Sequence, residues 1–361
     1  MTRPRHALFL RREVCALVLS APFAARSAEA PASLLRTVEV ESFRREYMTD
    51  RQVLQKAFAA WDQRGGGNFV FGANRTYKLG PIEAGAPPFV LNYATDVAII
   101  GNNARLSCDT VASIAPIFLI QNSHRIRVSD LQLQDFGFRP RIDWQGAVLI
   151  YVDGSAGPSG EIALTKLKAD SAVALFICSG THPRGRVSRI GLTDVVANDC
   201  YYGACFQENG DDVDCTMQAS NCRRAYFCYG VTGHRADLSI RGDANSVGSD
   251  GCIVVHRYER DTSDVRIGAR ISGELRWGNL VHFAQSPPAG VTGLVSGVSV
   301  SLAVDPAAID LVDGRDASFI VYDRRGDQPL KTSPAQWRDV RATGIGIGGR
   351  KVVPIFDTQA E

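Results

Sequence analysis

A small residue followed by a short apolar strand recurs eight times along the chain, and no other feature restricts the fold so tightly. The runs are Ala115-Pro-Ile-Phe-Leu-Ile, Gly146-Ala-Val-Leu-Ile-Tyr, Ala174-Leu-Phe-Ile-Cys, Gly203-Ala-Cys-Phe, Ala225-Tyr-Phe-Cys-Tyr, Gly251-Cys-Ile-Val-Val, Gly278-Asn-Leu-Val-His-Phe and Ala317-Ser-Phe-Ile-Val-Tyr. Successive small residues lie 31, 28, 29, 22, 26, 27 and 39 positions apart. A degenerate period of this kind marks a solenoid, in which no repeat can bury its own apolar face and each must stack on its neighbours.

A second strand with period-two alternation precedes most of these runs, as in Ile126-Arg-Val-Ser-Asp-Leu-Gln-Leu, Ile162-Ala-Leu-Thr-Lys-Leu, Val265-Arg-Ile-Gly-Ala-Arg-Ile and Val298-Ser-Val-Ser-Leu-Ala-Val. Two or three short strands per repeat, with almost no helical periodicity between them, predict an all-β parallel β-helix. An antiparallel sandwich also has many short strands, but two-residue hairpin signals are nearly absent between these runs. Alternation should place one side chain inside the coil and the next in solvent, so Phe176, Cys205, Phe227 and Ile253 are expected to form an internal ladder.

Thr49-Asp50 can cap a helix whose apolar positions Val53, Leu54, Ala57, Phe58 and Trp61 share one face, with Gly65 ending it. Such a helix would close the open end of a solenoid. The Gly-rich turn that follows, then Phe69-Val70-Phe71 and Thr76-Tyr77, resembles the entry module of the pectate-lyase superfamily. Ile99-Ile-Gly-Asn-Asn and Asn122-Ser-His-Arg-Ile-Arg-Val-Ser-Asp-Leu are similar to its next coils. The resemblance implies a right-handed parallel β-helix with an N-terminal capping helix and a carbohydrate-processing role. The expected organisation is an export signal over 1–30 and one β-helix domain over 31–361. Within that domain the cap helix spans about 50–64, the coils about 68–325 and a C-terminal cap 326–361.

The first thirty residues carry Arg11-Arg12, an apolar run from Val14 to Ala25 and Ala28-Glu29-Ala30, the pattern of an export signal of twin-arginine or Sec type. A periplasmic or secreted bacterial protein is expected. Removing five Arg and two Glu would take the formal net charge from +2 to about −1, which argues against nucleic acid as a partner. Beyond the signal, no apolar run approaches the roughly 20 residues of a membrane span, so stable membrane insertion is not expected. Eight cysteines remain after Cys15 is set aside, and they can be buried thiols or disulfides.

Residues just after the small-residue strands should stack along one edge. They include Asp153, His182, Arg184, Glu208, Asp211, Asp212, His234, Arg235, His256, Arg257 and Glu259. The acids, imidazoles and guanidinium groups suit polysaccharide chemistry, either hydrolysis by paired carboxylates or proton abstraction beside a uronate carboxylate. His234, Arg257, Glu208, Asp211 and Asp212 are the catalytic candidates. His182, Arg184, Tyr202, Tyr226, Arg235, His256 and Glu259 are the substrate-binding candidates. Asp211-Asp212 with the later Gly233-His234 is similar to polygalacturonase-like hydrolases, although that family's other Asp motif and basic tripeptide are not recognisable. No cofactor is required by either reaction, but the acidic run from Glu208 to Asp214 could hold calcium. Gly344-Ile-Gly-Ile-Gly-Gly349 fits a dinucleotide fingerprint with no helix after it, and a chance match is expected. Polysaccharide processing by elimination, hydrolysis or epimerisation is therefore one reading of function. A non-catalytic β-helix that binds glycan or serves a surface or secretion assembly is the other.

Overall fold

A computed structural model describes residues 36–62, 67–83, 85–110, 114–136, 146–180, 185–242, 252–273, 280–285, 293–305, 320–322, 337–346 and 351–357. The segment expected to be an export signal, His182 and Arg184 lie outside these residues. The chain coils into a parallel β-helix with two main walls. The short sheet stacks nine strands, among them Ala147–Asp153, Ala174–Ser179, Tyr202–Gln207, Arg224–Tyr229 and Ile253–Arg257, each hydrogen-bonded in parallel to the next. The long sheet has fourteen strands, parallel throughout except where Lys351–Asp357 runs antiparallel to Trp337–Gly346. Parallel stacking thus extends into the region expected to be the C-terminal cap. Gly344-Ile-Gly346 of the glycine-rich fingerprint end the strand Trp337–Gly346, and the rest of it lies outside the described residues.

Columns of in-register side chains fill the interior. Val97, Ile126, Ile162, Ile190, Val213, His234, Val265, Val298 and Val340 form one column of the long sheet. Facing it, Phe118, Ile150, Phe176, Ala204, Tyr226, Ile253 and Val281 form a column of the short sheet. Phe176 and Ile253 therefore point inward as expected, whereas Cys205 and Phe227 do not. They stand one residue later, in the outward row Ile177, Cys205, Phe227 and Val254. The small residues do serve close approach: a Cβ on Gly203 would meet the Ala225 carbonyl oxygen at 2.5 Å. All eight cysteines from Cys108 to Cys252 are buried free thiols.

Helix α1, Asp50–Asp62, closes the N-terminal end. Val53, Leu54, Ala57 and Trp61 are buried, and Phe58 packs edge-on against Phe69 and Phe89 of the first coil. Its start is a capping box: the Thr49 hydroxyl accepts from the Gln52 N–H, while Gln52 Oε1 accepts from the Thr49 N–H at 2.9 Å. Thr49→Ala should cost about 1 kcal/mol, the usual worth of an N-cap. Urea unfolding would measure this, and an unchanged midpoint would show that packing of the aromatic face alone holds the helix.

Candidate functional site

Where the chain turns from the short sheet to the long one, successive coils stack as an edge. Glu208 N–H donates to the Tyr229 carbonyl and Asn209 N–H to that of Gly230, each at 2.9 Å. Glu208 and Asn209 take left-handed backbone angles, φ 27° and 64°, which make the corner tight. The polar residues beyond this corner do not converge on one surface.

His234 is fully buried among valines and isoleucines of its column. Its Nε2 faces the Gly210 carbonyl oxygen, a pure acceptor, so Nε2 carries the hydrogen and Nδ1 accepts from the Tyr226 hydroxyl at 2.7 Å. Burial holds its pKa down at about 4 despite the Gly210 bond and the nearby Asp211 carboxylate. Both His234 and Tyr226 are thus interior residues, out of reach of a polymer, which corrects the expectation that they act on one. Asp211, 1% exposed, accepts from Arg186 at 3.0 Å, from Arg260 at 3.1 Å and from the Thr232 N–H at 2.9 Å. It is a structural clamp. Asp212 is half-exposed and reaches Arg186 at 3.3 Å, and Arg235 is exposed on the outside of the long sheet, beside Asp214 and Arg266. Arg257 is 4% exposed and donates to the Gly293 carbonyl oxygen, and burial lowers its pKa. With Asp211 committed to two arginines, the acidic run makes a poor calcium site. Among the described residues no group of three or more His, Cys, Asp or Glu side chains could hold a metal ion.

The outer face of the short sheet does gather chemistry. One row, a residue per coil, reads Gln121, Asp153, Ser179, Gln207, Tyr229, His256. Gln121 donates to Asp153 at 2.8 Å, and Gln207 lies 3.3 Å from the Cys205 sulfur. The rings of Tyr229, His256 and Tyr258 pack together with centroids 5.4 to 6.3 Å apart, and Phe227 lies 5.7 Å from Tyr229. All of the row except the buried Ser179 is partly exposed, as is Tyr258. Tyr202 belongs to the same face, with its hydroxyl 3.1 Å from Arg224, whose guanidinium lies 5.3 Å from the Phe227 ring. Burial raises the Tyr229 phenol pKa, and the Glu208 carboxylate nearby adds to that rise. Of the sequence candidates, His256 is partly exposed on this face, Tyr202 and Glu208 lie on or beside it but are buried, and exposed Glu259 follows directly after Tyr258. Gln207, Tyr229 and Arg224 were missed as site residues. The repeat could have found them once its inward positions were fixed, since outward positions alternate with these.

Such a face offers ring surfaces for the apolar sides of sugars and an amide, a carboxylate and an imidazole for hydroxyl groups. No protein-family model matches the chain, and no curated protein matches it. Among solved structures it is similar to the endo-xylogalacturonan hydrolase from Aspergillus tubingensis, with a TM-score of 0.53 at 11% identity, covering 89% of this chain and 97% of that one. The fold is the right-handed parallel β-helix. A weaker likeness links this β-helix to the catalytic domain of a GH87 α-1,3-glucanase in complex with nigerose (TM-score 0.39, 14% identity, 91% of this chain and 68% of that one). Another links it to the tailspike of E. coli bacteriophage HK620 in complex with a pentasaccharide (0.37, 11%, 86% and 61%). At these identities the shared property is the fold. Among the described residues no helix of this β-helix protein is long and apolar enough to cross a membrane.

Proposed function

We propose that this chain is an exported protein that processes a polysaccharide laid along the outer face of its short sheet, across the coils from Gln121 to Tyr258. The observation that carries this reading is the in-register polar row ending in the Tyr229, His256 and Tyr258 ring cluster. The rings provide the platform, Gln207 and Asp153 bind hydroxyls, and Glu208 with His256 supplies the acid–base pair for elimination or hydrolysis. The fold shared with an endo-xylogalacturonan hydrolase supports a polymeric, sugar-containing substrate.

Incubation with a panel of uronate-containing and neutral polysaccharides, followed for new reducing ends and unsaturated product, tests the activity. Tyr229→Ala and His256→Ala should each lower activity on the responsive glycan at least about tenfold, the equivalent of roughly 1.4 kcal/mol, with unchanged far-ultraviolet circular dichroism. Arg235→Ala, on the other wall, should leave it unaltered. Equal activity in all three variants would dismiss this face as the site. Binding without turnover is the second reading, and the spread of the row favours it: Asp153 and His256 stand four coils, roughly 19 Å, apart, so the polar groups form an extended track rather than one reacting centre. Affinity for a glycan with no product from any member of the panel would establish that reading.

A further inference from the structure

Eight cysteines occupy the coils, yet only one pair among them is in register on adjacent coils. Asn198 pairs with Ser220 and Tyr202 with Arg224, so the corner between them sets Cys200 directly against Cys222. Backbone bonds on both sides fix that corner: Asp199 N–H to the Ser220 carbonyl and Arg223 N–H to the Cys200 carbonyl, each at 2.9 Å. The two side chains adopt the same pose. Cys200 Sγ lies 3.2 Å from the Asn198 carbonyl oxygen and 3.6 Å from that of Ala169, one coil earlier. Cys222 Sγ lies 3.6 Å from that of Ser220 and 3.4 Å from that of Ala197, again one coil earlier. Cys178, Cys205, Cys228 and Cys215, by contrast, face Ile, Val, Phe, Ala or Leu in their neighbouring coils.

We propose that Cys200 and Cys222 are a site of oxidative modification, forming a disulfide that staples two consecutive coils while the other cysteines stay reduced. Stacked coils lie about 4.8 Å apart, inside the roughly 4.4 to 6.8 Å that a disulfide needs between Cα atoms. The bond forms with glutathione disulfide as oxidant. Both S–H bonds break, one S–S bond forms, and two electrons and two protons pass to the glutathione disulfide, which is cleaved to two glutathione thiols. Because both cysteines are buried, exchange takes place while the coils are still closing. The staple ties together the corner that leads into Tyr201-Tyr202 and Arg223-Arg224, so it would fix the relative height of these groups on the outer face.

The full chain, unfolded in reductant, is refolded in a mixture of reduced and oxidised glutathione, alkylated and digested without reduction by a protease cutting at acidic residues. Cuts at Glu208 and Asp211 separate the two cysteines, and fragmentation of the linked peptides distinguishes Cys200 from Cys205 and Cys222 from Cys215 and Cys228, so tandem mass spectrometry reads the linkage. The expected result is one cross-linked peptide pair joining Cys200 to Cys222, with Cys108, Cys178, Cys205, Cys215, Cys228 and Cys252 alkylated once unfolded. Recovery of Cys200 and Cys222 as separate alkylated peptides, or linkage of either to another cysteine, overturns the proposal. The melting temperature of the oxidised protein should also fall on adding reductant, and that of the Cys200→Ala, Cys222→Ala double variant should not. The map needs only the unaltered chain, so a variant that fails to fold leaves the result decisive.

Discussion

Acidification from about pH 6.5 to about pH 4 should remove on the order of 3 kcal/mol of stability through one side chain, His234. Its imidazole is fully buried and neutral, and desolvation outweighs the two groups that favour its cation, the Gly210 carbonyl and Asp211. The folded-state pKa lies near 4 against 6.5 for the free side chain, so between these values the unfolded chain binds a proton that the folded chain refuses. The contribution is therefore complete above about 6.5 and is lost progressively as the pH falls toward about 4. Carboxylates elsewhere also titrate over this range, so the measurement is a difference. Urea unfolding of the unaltered protein and of His234→Gln across the window should give a steeper loss for the former. His234→Gln should be the less stable of the two at neutral pH, where Tyr226 and Gly210 lose their partner. Parallel pH profiles would mean that the imidazole is not held neutral.

Replacing Asp211 by Ala should destabilise the corner by about 2 to 3 kcal/mol. Removing one partner of a fully buried ion pair commonly costs about 3 to 5 kcal/mol. Here the carboxylate is 1% exposed, but Arg186 and Arg260 are 57% and 36% exposed and regain water when it goes, which argues for the lower figure. The Thr232 N–H also loses its acceptor. Asp212 is the built-in control: it meets the same Arg186 at 3.3 Å but is 53% exposed, so Asp212→Ala should cost less than about 0.5 kcal/mol. Equal losses for the two variants would remove the clamp from its structural role.

The expected internal ladder shows how far a repeat can be read. Counting from small residues aligns Ala174 with Gly203, whereas the sheet pairs Ala174 with Tyr202. The slip moves Cys205 and Phe227 to the outer row, and the count recovers its parity only at Ile253. Strand side chains alternate, so one residue gained or lost at a corner reverses every facing that follows. The corners here absorb such residues through Asn and Asp in left-handed conformations, at Asp199, Asn209, Asp212 and Asn221 among others. The same reversal explains the site. Asp211 and His234 were grouped with Glu208 and His256 because all follow an apolar strand, yet they lie past the corner, where the long sheet turns His234 inward and Asp212 and Arg235 outward and Asp211 is covered by Arg186 and Arg260.

What the sequence determined by itself is the parallel stacking of coils and the helix that closes their N-terminal end. Both follow from short-range patterns: a repeating apolar strand that has nothing to bury against except its own copy, and a Thr49–Gln52 capping box ahead of one apolar face. Which wall carries the polar and aromatic row, which imidazole is buried at His234, and which two thiols meet at Cys200 and Cys222 were decided only by tertiary structure. Each depends on the register between coils 20 to 30 residues apart, and that register is set by the close packing of the filled interior, which no local pattern records.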